Sequence, residues 1–247
     1  MPGVPDAQRD RALRRFPLRR LRLPMGDGQL SVVIPDERAW VREGSWAPGV
    51  VRGKEPPYWI RIWPAALAAA RALHRVEGLA GLRVLDLGCG LGIPGVQAAQ
   101  GGGVVTFADL EHDAIAFARW NAKHQLGCST APAGVSLDWS RERVDGLFDL
   151  LLLSDVSYHE KHHAPLLRHL EQCLAEGGVA LHTDPHREVA SAFLAKLDGD
   201  YVRMSWTRPT VVQDRRANVR VAIIARSPEV LEAWRTRFGA LGYEGHL

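Results

Sequence analysis

Apolar residues recur along this chain in two alternating rhythms. Short, nearly unbroken apolar runs read as strands: RVLDL at 83–87, VVTFA at 104–108, Leu147 to Leu153, and VALHT at 179–183. Runs without polar alternation suit strands covered on both faces of a parallel sheet. Between them lie segments with helical spacing. These are 65–76, rich in Ala and Leu behind Pro64; Pro94 to Gln100; 112–126, with Ala114, Ile115, Ala118 and Leu126 on one face; 164–175; and 187–197. A short strand is predicted just before Leu137, two late strands near 201–206 and 219–225, and a last helix near 228–238. Repeated strand–helix units of this size predict an α/β fold, a doubly wound, mostly parallel, Rossmann-like sheet with helices on both faces.

Residues 1–57 break the rhythm. Pro24, Gly26, Gly28, Pro35, Gly44, Pro48 and Gly49 punctuate them, which predicts short strands and turns, and Pro56-Pro57 closes the segment. The chain is therefore divided into an N-terminal extension, 1–57, on the substrate side, and a main domain, 58–247. The extension carries seven arginines between Arg9 and Arg22. They are read as a solvated helix or arm, with a contact surface for a partner or for RNA as the alternative. Arg14-Arg15 and Arg19-Arg20 look like twin-arginine export signals, but no apolar stretch or small-residue cleavage site follows them.

Composition changes this picture little. At 247 residues, 46% apolar and 24% charged, the chain can bury a full core without disulfides or metals. A net charge of +3 gives no argument for a nucleic-acid partner. No apolar run approaches the ~20 residues of a membrane span. Cys89, Cys128 and Cys173 are odd in number and far apart, as expected of free thiols in a reducing, cytoplasmic setting.

The chemistry is concentrated at Val84-Leu85-Asp86-Leu87-Gly88-Cys89-Gly90-Leu91-Gly92. A buried strand ends in a carboxylate, and a glycine then sits at every second position. Glycines let the backbone turn sharply and come close to a ligand, which would lie at the carboxyl end of the sheet beside a helix N-terminus. Gly90 to Gly95 also satisfies GxGxxG, the dinucleotide fingerprint. In that fingerprint the first glycine follows the strand directly, whereas Asp86 occupies the strand end here. A carboxylate there would repel a pyrophosphate. It suits the cationic methionine end of S-adenosylmethionine (SAM), directly or by holding the loop. Asp109 falls 19 residues after Gly90, where an acidic residue binds ribose hydroxyls; the plainer reading is a cap on the next helix. Asp138 is placed to accept from an adenine amino group with Trp139 packed nearby, or else is an ordinary turn Asp beside a core Trp. His159-Glu160-Lys161-His162-His163 matches the HExxH zinc signature. That chemistry needs the motif inside a helix with a third ligand, and this one follows a strand and a turn, so no metal site is assigned.

Four segments together resemble the seven-strand SAM-dependent methyltransferases. Within them the likeness is to the protein-lysine methyltransferases that include the electron-transfer-flavoprotein β-subunit lysine methyltransferases. Pro56-Pro57-Tyr58-Trp59 through Trp63-Pro64 looks like that family's segment before the SAM motif, and Asp86 to Gly92 matches the motif itself. Ser154-Asp155-Val156-Ser157-Tyr158 matches its Asp-x-x-Tyr turn. Thr183-Asp184-Pro185-His186-Arg187 is similar to its Asp-Pro-Gly-Arg segment, with His186 in the glycine position. The resemblance covers about residues 56–226. It implies a SAM-dependent N-methyltransferase with Trp63, Asp86, Gly88, Gly90, Gly92, Asp109, Asp138, Trp139 and Ser154 at the cofactor. Asp155 and Tyr158 would face the target amine. The acceptor is a protein lysine or, alternatively, a small amine or heterocycle, because one core serves both. A SAM-binding protein acting only through its Arg-rich arm is a third reading.

Overall fold

The structure, a computed structural model, describes residues 11–39, 57–127 and 131–239. Gly44, Pro48, Gly49, Pro56, Arg9 and Cys128 lie outside the described residues. The main domain is built on a seven-stranded sheet. Its strands are β3 (Arg83–Leu87), β4 (Val104–Asp109), β5 (Ala133–Ser136), β6 (Phe148–Ser154), β7 (Leu174–Asp184), β8 (Val202–Val212) and β9 (Arg215–Ala225), in the spatial order β5-β4-β3-β6-β7-β9-β8. The first five run parallel, and only β9 opposes its neighbours β7 and β8. The edges are β5, four residues long, and β8, which contains Pro209.

The unbroken apolar runs follow from the two layers that sandwich this sheet. Val84, Leu150, Leu152, Val179 and Leu181 point to one core; Leu85, Leu87, Leu151, Leu153 and Ala180 point to the other. Successive side chains leave a strand on opposite faces, so a strand covered on both sides needs an apolar residue at every position. On the first face pack α1 (Pro64–Leu73), α2 (Ile93–Gln100), α3 (His112–Leu126) and α6 (Pro228–Arg237); on the second, α4 (His163–Cys173) and α5 (Glu188–Ala195). Among the described residues no helix is long and apolar enough to cross a membrane. Cys89 and Cys173 are buried free thiols.

Three expectations are corrected. Three of the leader arginines are not in a solvated helix or arm: Arg19, Arg20 and Arg22 belong to β1 (Leu18–Pro24), paired antiparallel with β2 (Gln29–Pro35). Leu23, Leu30, Val32 and Ile34 of this hairpin join the first core. The Asn121 amide on α3 completes β2 as a strand would, accepting from Val33 N–H at 2.8 Å and donating to Val33 O at 3.0 Å. The helix expected over 164–175 ends at Cys173, and β7 begins at once at Leu174. The two late strands are eleven residues each and form one hairpin, turning at Gln213-Asp214.

Candidate active site

A cavity of about 830 Å³ opens at the carboxyl ends of β3, β4 and β6. This is where an open α/β sheet receives a ligand, because the loops leaving the strands on either side diverge there. Its walls include Trp63, Gly88, Gly90, Asp109, Asp138, Trp139, Ser154, Asp155 and Tyr158. The fold thus gathers into one chamber residues that span 95 positions in the sequence, from Trp63 to Tyr158.

Asp86 and Gly92 are not in those walls. Asp86 is 1% exposed and its Oδ2 accepts the Gly95 N–H at 3.0 Å, so it holds the loop and the start of α2 rather than facing the chamber. Burial pushes its pKa up to about 8. Gly88, in the chamber wall, and Gly92, outside it, also meet a packing constraint. A Cβ on Gly88 would lie 2.5 Å from Trp139 Cζ3, and one on Gly92 2.5 Å from the Ala118 Cβ. Both residues also hold a left-handed backbone, with φ of 69° and 73°. On the side where a Cβ would stand, what approaches these two glycines closely is the protein itself.

Asp109 ends β4 and braces the loop: Gly90 N–H donates to its Oδ2 at 2.9 Å and Glu111 N–H to its Oδ1 at 3.0 Å. It therefore supports the turn before α3 and still faces the chamber. Burial raises its pKa. Asp138 forms a turn, its Oδ1 accepting from Ser140 N–H at 3.0 Å and from Ser140 Oγ at 2.5 Å; these bonds hold its pKa down. Trp63 donates from Nε1 to Tyr58 O at 3.1 Å, and Arg215 lies over its ring at 5.7 Å. Ser154 Oγ accepts from Thr183 Oγ1 at 3.2 Å.

The turn after β6 carries the other half of the site. Asp155 has φ 56°, a left-handed conformation that Asp tolerates better than most residues. Tyr158 is 45% exposed at the rim, its ring 6.5 Å from that of Tyr58. Behind the turn, Ser157 Oγ meets His182 Nε2 at 2.8 Å, with both residues 0% exposed. This anchors the turn to β7. Burial lowers the His182 pKa to about 4, so the ring is neutral at pH 7.

Sequence reasoning missed Arg187. It lines the chamber and forms an ion pair with Asp155. The signal was present in the segment Thr183 to Arg187, but nothing local says where the guanidinium points. His186 takes φ 56°, the conformation that a glycine adopts freely, and bonds through Nε2 to Thr207 Oγ1 at 2.9 Å. The HExxH residues split between a short 3₁₀ turn, Glu160–His162, and the start of α4 at His163. His162 Nδ1 meets Val156 O at 3.1 Å. Among the described residues there is no group of three or more side chains able to hold a metal ion.

Residues 59–200 match a family model described as lysine methyltransferase. The electron transfer flavoprotein β-subunit lysine methyltransferase of Danio rerio is 34% identical over 160 residues, covering 64% of this chain and 59% of that protein. The ubiquinone biosynthesis O-methyltransferase of Pseudomonas aeruginosa is 29% identical over 169 residues, covering 66% of each. The alignments thus span less than two thirds of either relative's length. Two solved structures share the fold. The N-methyltransferase NodS of Bradyrhizobium japonicum, in complex with S-adenosylhomocysteine, has a TM-score of 0.52 and 17% identity, covering 71% of this chain and 94% of that one. The ribosomal protein L11 methylase of Lactobacillus delbrueckii has a TM-score of 0.51 and 20% identity, covering 66% and 78%.

Proposed function

The chain belongs to the lysine methyltransferase family, and on that premise we propose that it transfers a methyl group from SAM to an amine, the side chain of a protein lysine. The observation that carries this reading is the Asp155/Tyr158 turn, set in the same chamber as the glycine loop and Asp109.

The residues present fit SAM. The chamber is within the range of small-molecule sites, ~300–1,000 Å³. Gly90 offers backbone beside it with φ 50°, and Asp109 and Asp138 put carboxylate acceptors in its walls. When bound, SAM supplies an electrophilic methyl on a sulfonium sulfur, which the acceptor lone pair takes as the carbon–sulfur pair returns to sulfur. Trp63 and Trp139 would pack on its apolar surface, and Asp109 would accept from the ribose. Asp86 acts through the loop it holds. Charge-assisted hydrogen bonds are worth about 1.5–3 kcal/mol each, so Asp109→Ala is expected to weaken SAM binding about tenfold or more. Calorimetry measures this, and unchanged affinity removes Asp109 from the site.

Methyl transfer asks the protein mainly for alignment, which is proximity catalysis. A lysine must also lose a proton. With an ordinary pKa of ~10.4, reaching the neutral amine at pH 7 costs about 4.6 kcal/mol. Asp155 recruits the cation, and taken alone it would hold that proton in place. Tyr158, in the chamber wall, would aim the lone pair by a hydrogen bond.

Five aromatic residues of the chamber wall, Tyr58, Trp59, Trp63, Trp139 and Tyr158, favour a second reading, a small amine or heterocycle as acceptor. Incubating a lysate with the enzyme and labelled SAM, then separating protein from small molecules, decides between them. Label in protein that survives as methyl-lysine after hydrolysis is the expected result. Label confined to the small-molecule fraction overturns the lysine reading.

A further inference from the structure

The mechanism leaves one conflict, since the carboxylate that attracts an alkylammonium also stabilises its charged form. Two adjacent strand ends carry the answer. β6 and β7 are parallel neighbours paired at Ser154 and Thr183, and Asp155 N–H donates to Thr183 O at 2.8 Å. Each strand then turns through a residue in the left-handed region, Asp155 after β6 and His186 after β7. The two turns lie side by side, and the second delivers Arg187 onto Asp155. Arg187 is itself fixed from behind. Its backbone N–H donates to Asp184 Oδ1 at 3.1 Å, and the fully buried Asp184 is gripped by both arms of Arg220, at 2.9 and 3.1 Å.

We propose that Arg187 offsets the charge of Asp155, so that the site grips an alkylammonium through the Asp155 oxygens and still lets it lose its proton to water at the rim. This rests on the amine-acceptor reading above. The pair is nearly neutral in sum. It orients the acceptor by hydrogen bonding without adding a net negative charge beside the nitrogen. Asp155 is only 10% exposed in its side chain and Arg187 36%, so water screens the pair weakly on the Asp155 side. The other groups facing Asp155 do not supply the offset. Asp184, from β7, is negative and already committed to Arg220. Tyr158 and Tyr58 have phenol groups, and burial keeps the Tyr158 hydroxyl protonated. Asp109, from β4, is a carboxylate, and burial keeps His162, from the 3₁₀ turn, neutral at pH 7. Lys161 shares the chamber wall, but the ion pair of Asp155 is with Arg187. Arg187 is thus a positioning and charge-setting residue that acts through Asp155.

The test compares the full-length wild type with Arg187→Gln and Arg187→Lys, using the acceptor fraction that the wild type labels. An opposite charge in such contact moves a pKa by roughly 1–3 units. In Arg187→Gln, kcat at pH 7.5 is expected to fall about tenfold and KM to fall with it, because the bound ammonium is held more tightly and gives up its proton less readily. The pH at which kcat reaches half its alkaline plateau moves up by about one unit, since kcat reports the bound complex. Calorimetry with butylammonium chloride, on enzyme saturated with S-adenosylhomocysteine, shows binding about tenfold tighter than wild type. Arg187→Lys keeps the charge and restores the wild-type pH profile, which loss of packing alone would not explain. An amine-labelling wild type whose Arg187→Gln variant loses kcat equally at every pH, and binds butylammonium no tighter, overturns the inference alone. A wild type whose labelled acceptor is not an amine overturns the amine reading, and the inference with it.

Discussion

Asp155→Ala is expected to lower turnover about 100-fold or more while SAM affinity stays within about twofold, because misplacing a reacting group by about 1 Å costs a factor of that size. The separation of the two effects is the informative part. Asp155 sits in the turn after β6, whereas Gly90 and Asp109 hold the other side of the chamber. Removing the carboxylate takes away the group proposed to recruit and aim the acceptor, and it leaves the Arg187 guanidinium without its partner in the chamber wall. A like charge there repels the acceptor, so KM rises as kcat falls. Asp155→Asn keeps the shape and loses the charge, and should lie between wild type and Ala. Steady-state kinetics with labelled SAM, alongside calorimetry for SAM itself, gives both numbers. Full activity in Asp155→Ala would remove this residue from the mechanism, and a parallel loss of SAM binding would make it a structural residue of the loop.

The second large effect is on stability. Arg220→Ala is expected to cost about 3–5 kcal/mol, the usual loss when one partner of a buried ion pair is removed. The asymmetry explains the size. Asp184 is 0% exposed and Arg220 15%, so the truncation leaves a desolvated carboxylate held by the Arg187 N–H. In a chain of this length, thermal unfolding should fall by roughly 6–20 °C. Removing both charges together, as Asp184→Asn with Arg220→Gln, leaves no orphaned ion and should recover part of the loss. A shift under about 2 °C in Arg220→Ala would mean that water reaches Asp184 and that the pair contributes little.

The strands at the centre of the sheet were the most legible part of the sequence, because burial on two faces demands apolar residues at consecutive positions and few other environments do. β3 is found at the bounds expected, and β6 lies within one residue of them. The peripheral strands were harder. β8 alternates exposed and covered residues, with Trp206 and Val212 in the core, includes Pro209, and extends well past the expected 206 as the antiparallel partner of β9 along its whole length. The leader misled for a related reason. The arginines of β1 suggested a solvated arm, but the strand needs only Leu23 and its β2 partners against the core, so Arg20 and Arg22 can stay in water.

At the site, local chemistry was readable and pairing was not. The Asp-x-x-Tyr turn, Asp109 and the glycine loop all announce themselves within a few residues. Arg187 reaches Asp155 across 32 positions, and only the adjacency of β6 and β7 creates that contact. Gly88 and Gly92 show a requirement the motif alone does not reveal, since Trp139 and Ala118 leave no room for a Cβ at either position.

The two edges of the main sheet have a consequence for how the chain behaves in company. A long strand with unpaired backbone groups is a template on which other chains can assemble into fibrils. β5 offers only four residues, too short a run to nucleate growth. β8 is eleven residues long, but it presents Arg203 and Arg208, and Pro209 has no N–H to give. Among the described residues, a second copy approaching either edge therefore meets a short purchase or a charged, interrupted one.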